Sequence, residues 1–160
     1  MIIVSSCLAG EPCRYNGTAS LEEKIQDLVN QKKAIMLCPE LLGGFTTPRE
    51  PAEIVGGTGE DVLNGHARVV ERSGADVTEM FMKGAKKTLE MARKLQASCV
   101  VLKENSPSCG SQMIYNGEFS NRKVAGEGVT AALLRREGFK VISENQLSEL
   151  GSLIEDTLRS

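Results

Sequence analysis

The chain has no tryptophan, two tyrosines and four phenylalanines. Proteins that hold single-stranded nucleic acid stack its bases on aromatic side chains, so this scarcity argues against that class. A basic surplus is missing too. Nineteen Lys and Arg stand against 21 Asp and Glu, for a net charge of −2, which is the wrong sign for a surface that tracks phosphates. No apolar run approaches the ~20 residues that cross a bilayer. Ile2-Ile3-Val4 is apolar but short and lacks a basic flank, so it reads as a first strand and not as a signal peptide. Histidine occurs once, as His66, beside the Asn64-Gly65 turn, where an exposed polar residue is expected. The chain therefore offers no obvious imidazole to activate a nucleophilic cysteine. Closely spaced CxxC pairs, usual in structural zinc sites, are also absent.

What the chain does have is 160 residues, enough for one domain spanning 1–160, and five cysteines at positions 7, 13, 38, 99 and 109. An odd count with no secretory leader fits a cytoplasmic protein whose cysteines are reduced, metal-bound or catalytic.

Apolar strands alternate with amphipathic helices along the chain. Strands are expected at 2–4, 34–37, 98–103 and 139–142. Helices are expected from Ser20, where Glu23 completes a capping box, from Asp76, where Glu79 does the same, over 129–137 up to Gly138, and over 147–158. Between them lie a long Gly- and Pro-rich loop from Leu41 to Pro51 and a small hairpin of Ile54-Val55 with 67–70. A second hairpin is expected around Asn116-Gly117, followed by a polar loop over 122–128. This order predicts an α/β fold: a small Rossmann-like three-layer domain with a mostly parallel sheet and long loops at the strands' C-terminal edge.

Cys7, Cys38 and Cys109 each fall just past the end of a strand. In an open parallel sheet those ends share one edge, where ligands bind, so three cysteines distant in sequence converge. Cys99 lies inside a strand and reads as a core residue. Cys13 is the candidate for a fourth ligand. Three thiolates without histidine suit an iron–sulfur cluster or zinc. A cubane cluster on three cysteines keeps one iron open as a Lewis acid. Glu40 and Ser106 stand at the same edge as a possible acid/base and hydroxyl. Arg14, Arg49 and Lys103 lie in or beside these loops and could bind a polar substrate. Gly126-Glu127-Gly128, ahead of a helix, could hold an anion on its N–H groups.

Four segments carry a resemblance: Ser6-Cys7-Leu8-Ala9-Gly10 with Cys13-Arg14-Tyr15-Asn16-Gly17; Cys38-Pro39-Glu40 with Pro48-Arg49-Glu50-Pro51; Leu102-Lys103 with Ser106-Pro107-Ser108-Cys109-Gly110; and Gly128-Val129-Thr130-Ala131-Ala132-Leu133-Leu134. Over nearly its whole length the chain resembles a bacterial family long known as a domain of unknown function, whose characterised members are 2-thiouracil desulfidases. The resemblance implies an oxygen-sensitive 4Fe-4S cluster on Cys7, Cys38 and Cys109. It also implies an acidic residue and a serine in catalysis, matching Glu40 and Ser106, with Glu50 and Glu53 as rival carboxylates in the same loop. Glu104-Asn105 departs from the pattern and bears on substrate choice.

The expected activity is removal of sulfur from a thiolated pyrimidine such as 2-thiouracil, giving uracil and sulfide without net redox change. The expected partners are a small thiolated base and cluster-loading machinery, with no nucleic-acid polymer and no membrane. The alternative is a non-catalytic iron–sulfur or zinc-binding redox sensor built on the same thiolates.

Overall fold

The computed structural model describes residues 1–10 and 23–146. Arg14, Cys13, the Ser20 cap and the helix expected over 147–158 lie outside the described residues.

Strands β1 (Ile2–Ser5), β2 (Ala34–Leu37), β5 (Cys99–Leu102) and β8 (Val141–Ser143) form one parallel sheet in the order β2-β1-β5-β8. Each strand is a short apolar run, and β1 and β5 are buried throughout, as expected where helices cover both faces. One face carries Ile2, Val4, Cys99, Val101 and Ile142, packed on Ile25 and Leu28 of helix α1 (Glu23–Asn30). The opposite face carries Ile3, Leu37, Val100, Leu102 and Val141. It packs on Leu89 and Ala92 of α4 (Thr78–Lys94) and on Ala131 and Leu134 of α5 (Val129–Arg136). The expected three layers are present. Chain direction across the sheet reverses between β1 and β5, the kind of switch point where open sheets bind ligands.

Two small hairpins complete the molecule. β3 (Ala52–Val55) pairs antiparallel with β4 (Arg68–Glu71), as the sequence indicates. Between them lies an unanticipated helix, α3 (Gly59–Leu63). Its signal is Thr58-Gly59-Glu60-Asp61: the Asp61 carboxylate accepts from the Thr58 N–H at 2.8 Å and from its hydroxyl at 3.2 Å. β6 (Met113–Tyr115) pairs antiparallel with β7 (Lys123–Ala125).

Three local expectations need correction. The second hairpin does not turn at Asn116-Gly117 alone. Residues 116–122 form its loop, and 123–125, expected as loop, are its second strand, exposed and so without an apolar signature. The Asp76–Glu79 capping box does not form: α4 starts at Thr78, whose N–H donates to Asp76 Oδ1 at 2.9 Å. The loop from Leu41 is shortened by a single-turn helix, α2 (Pro39–Leu42), which Pro39 opens at its first turn, where a missing N–H costs nothing.

The hairpins, α3 and the outer parts of α4 and α5 share a second core of Ile54, Val62, Val69, Phe81, Ile114 and Val129. Among the described residues no helix is long and apolar enough to cross a membrane.

Candidate active site

The three cysteines leave three adjacent strands. Cys7 lies in the 3-10 turn Ser6–Ala9 directly after β1. Cys38 precedes α2 after β2, and Cys109 follows β5. All three line one cavity of about 220 Å³ with Glu40, Arg49, Lys103, Asn105 and Ser106. This is below the ~300–1,000 Å³ of pockets that enclose drug-sized ligands. Cys99, by contrast, is sealed in the sheet core. No disulfide joins the described cysteines.

Among the described residues, no three His, Cys, Asp or Glu side chains gather round one point as a lone metal ion requires. The three cysteines line one cavity, and their soft thiolates, without a histidine, are donors that suit an iron–sulfur cluster or zinc. The Cys109 thiol is held well above its ordinary pKa, first by burial, then by the nearby charges of Glu40 and Cys38. Hydrogen bonds from Ser108 and Ser5 act the other way. Left as a bare thiol it is a poor nucleophile; its thiolate calls for a cation to neutralise it.

Glu40 meets Ser106 across the cavity. The Ser106 hydroxyl donates to Glu40 Oε1 at 2.9 Å. The same Ser106 oxygen accepts the N–H groups of Ser108 at 3.0 Å and Cys109 at 3.2 Å. Arg49 grips the other carboxylate oxygen, Oε2, through Nε at 2.8 Å and through Nη2. Its Nη1 is tied to the Thr46 carbonyl and the Thr47 hydroxyl. Arg49 is thus the partner of Glu40 in a nearly buried pair. Lys103 lines the cavity but pairs with Glu144 at 2.7 Å. The rival carboxylates Glu50 and Glu53 also line the cavity, but both are tied to neighbouring loops. Glu53 accepts the N–H groups of Gly117 and Phe119 at 2.9 and 3.2 Å, and Glu50 accepts from the N–H and hydroxyl of Ser73.

Two features that hold the site were not read from the sequence. The first is close contact between α2 and α4. A Cβ on Gly84 would lie 2.1 Å from the Pro39 carbonyl oxygen, and one on Gly43 would lie 2.3 Å from that of Met80. These two glycines let the turn bearing Glu40 rest directly on α4, and the only sequence signal was a glycine inside an otherwise amphipathic helix. The second is Glu104, which is buried. Its carboxylate accepts the Ser111 hydroxyl at 2.6 Å and the N–H groups of Ser111, Gln112 and Met113 at 2.7, 3.1 and 3.2 Å. Burial pushes its pKa up, but these hydrogen bonds outweigh burial and keep it below the usual carboxylate value. Glu104 therefore shapes the loop that carries Cys109.

The Gly126-Glu127-Gly128 segment is not an anion site. The N–H groups at the start of α5 are already used: Gly128 donates to the Gly110 carbonyl, Val129 to Pro107, and Thr130 and Ala131 to Ser108, at 2.8–3.2 Å. The helix N-terminus is the seat of the Pro107–Gly110 loop. A Cβ on Gly128 would lie 2.4 Å from the Ser108 carbonyl carbon, so glycine is needed for that approach.

A family model for 2-thiouracil desulfurase matches residues 2–146. The protein YbbK of Bacillus subtilis strain 168, described as uncharacterized, is 65% identical over 150 residues, which cover 94% of this chain and 99% of YbbK. Among solved structures, the 4Fe-4S-dependent thiouracil desulfidase TudS matches with a TM-score of 0.84 at 44% identity, covering 96% of this chain and 97% of TudS.

Proposed function

This chain belongs to the 2-thiouracil desulfurase family, and we propose that it is an iron–sulfur-dependent desulfidase that converts a thiolated pyrimidine such as 2-thiouracil, with water, into uracil and sulfide. The observation that carries this reading is the shared cavity, where three strand-end cysteines meet the hydrogen-bonded Glu40–Ser106 pair.

Cys7, Cys38 and Cys109 would hold a 4Fe-4S cluster and leave one iron without a protein ligand. When bound, the cluster supplies a Lewis-acidic iron with affinity for thiocarbonyl sulfur. The protein's own groups handle the water and its protons. Glu40 takes a proton from the water that attacks the ring carbon. Ser106, donating to Glu40 and anchored by two N–H groups, relays a proton towards the departing sulfur. Arg49 keeps Glu40 aimed, which replaces the direct substrate contact expected of it. Lys103, bonded to Glu144, adds positive charge at the rim. Carbon exchanges sulfur for oxygen with no net electron transfer, so no redox partner is required.

We place the protein in the cytoplasm as one domain, with cluster-loading machinery as its assembly partner. The test is anaerobic reconstitution followed by iron and sulfide analysis and an assay of sulfide release from 2-thiouracil. The expected result is about four irons per chain and catalytic sulfide release. A reconstituted protein that binds no iron overturns the cluster reading. A loaded protein that releases no sulfide from any thiolated base favours the sensor alternative.

A further inference from the structure

From Lys103 to Ser111 nearly every polar side chain is bonded within the protein. Lys103 pairs with Glu144, Glu104 with Ser111, Ser106 with Glu40, and Ser108 with Thr130. Asn105 differs. Its N–H donates to Glu104 at 3.3 Å, yet its carboxamide makes no hydrogen bond with a described residue. Asn105 nevertheless lines the cavity next to Ser106 and is only half-buried. Its backbone sits at φ +75°, a left-handed conformation that asparagine and glycine accept readily. A bridge to Ile114 and the bond to Glu104 keep it there. Asn105 thus brings to the cavity lining a carboxamide that no described residue ties down, with a donor and an acceptor side by side.

We propose that Asn105 is a specificity-determining residue that reads the amide edge of the pyrimidine ring, donating to the C4 carbonyl and accepting from the N3–H. This rests on the desulfidase reading. In 2-thiouracil that edge adjoins the C2 thiocarbonyl, so pairing there leaves the sulfur free to react. Carboxamides recognise adenine by a similar two-point pairing. The departure at Glu104-Asn105 is then divided: Glu104 shapes the loop and Asn105 selects the ligand.

The test is binding of uracil and of N3-methyluracil to anaerobically reconstituted protein by titration calorimetry. Uracil keeps the amide edge without the reacting sulfur. Wild-type protein is expected to prefer uracil about tenfold or more. Asn105→Gly keeps the left-handed backbone, and Asn105→Asp keeps the shape but loses the donor. Both should weaken uracil binding about tenfold or more, with unchanged circular dichroism; Asn105→Gly should also erase the preference, whereas Asn105→Asp, which keeps the acceptor for N3–H, should weaken both ligands. Equal binding of the two ligands by wild type, full discrimination in Asn105→Gly, or wild-type uracil binding by Asn105→Asp overturns the proposal. Sulfide release from 2-thiouracil, measured alongside, is a separate outcome. Its absence in wild type sinks the desulfidase reading, whereas its presence with unaltered discrimination in Asn105→Gly sinks only the role of Asn105.

Discussion

The turn that carries Glu40 and the loop that carries Ser106 deliver two ends of one hydrogen bond, and they are held by opposite means. The Glu40 turn is placed by contact: two glycines bring α2 onto α4 with no side chain between them. The Ser106 loop is placed by hydrogen bonds. The first N–H groups of α5 hold its carbonyls, and the Glu104 carboxylate gathers the amides that follow. Packing fixes position tightly but tolerates little change of volume. A hydrogen-bonded loop tolerates changes of volume, but each buried group that loses its partner costs stability.

Glu104→Ala should therefore have the largest effect. It leaves several N–H groups without an acceptor and should cost about 3 kcal/mol or more, read as a fall of roughly 10 °C in Tm. Glu104→Gln separates charge from hydrogen bonding. Because the folded protein holds Glu104 below its ordinary pKa, the ionised carboxylate stabilises the fold fully above the unfolded value of about 4.3. That contribution fades as pH falls through the folded value. Wild-type stability should decline more steeply with acidification below about pH 4.3 than that of Glu104→Gln, as urea titrations across this range would show.

On the packing side, Gly84→Val drives a side chain into the Pro39 carbonyl. It should cost about 1–3 kcal/mol and reduce activity more than Tm alone implies, because Glu40 shifts with α2. A Gly84→Val enzyme with wild-type turnover would mean that this contact does not position Glu40. Arg49→Met removes the clamp without moving the turn. Sulfide release should fall about 100-fold with iron content unchanged, because Glu40 loses the guanidinium that aims its carboxylate. At the small end, Glu137→Gln breaks the exposed pair with Arg93 and should change stability by less than about 1 kcal/mol.

The same contrast explains what the sequence made legible. The alternation of strands and helices followed from apolar runs separated by helical spacing, and three cysteines at strand ends marked the cavity. Cys99, set inside a strand, was rightly placed in the core. The loop interiors were opaque for physical reasons. Glu104 looked like a departure near the substrate, because nothing local tells that a carboxylate will turn inward to collect amides seven to nine residues on. Arg49 looked like a substrate ligand, since its partner Glu40 lies nine residues away across a turn whose path is set by α4. The segment before α5 had the composition of an anion site, but its N–H groups close on the neighbouring loop. Strand β7 has every residue exposed, so no alternation marked it.

The central claim is that Glu40 and Ser106 act on a substrate held against a cluster on Cys7, Cys38 and Cys109. The most direct measurement is sulfide release from 2-thiouracil by anaerobically reconstituted Glu40→Ala, with iron determined on the same sample. The account predicts the wild-type iron content with sulfide release reduced about 100-fold or more. A Glu40→Ala protein that carries the same iron and turns over at the wild-type rate would contradict it.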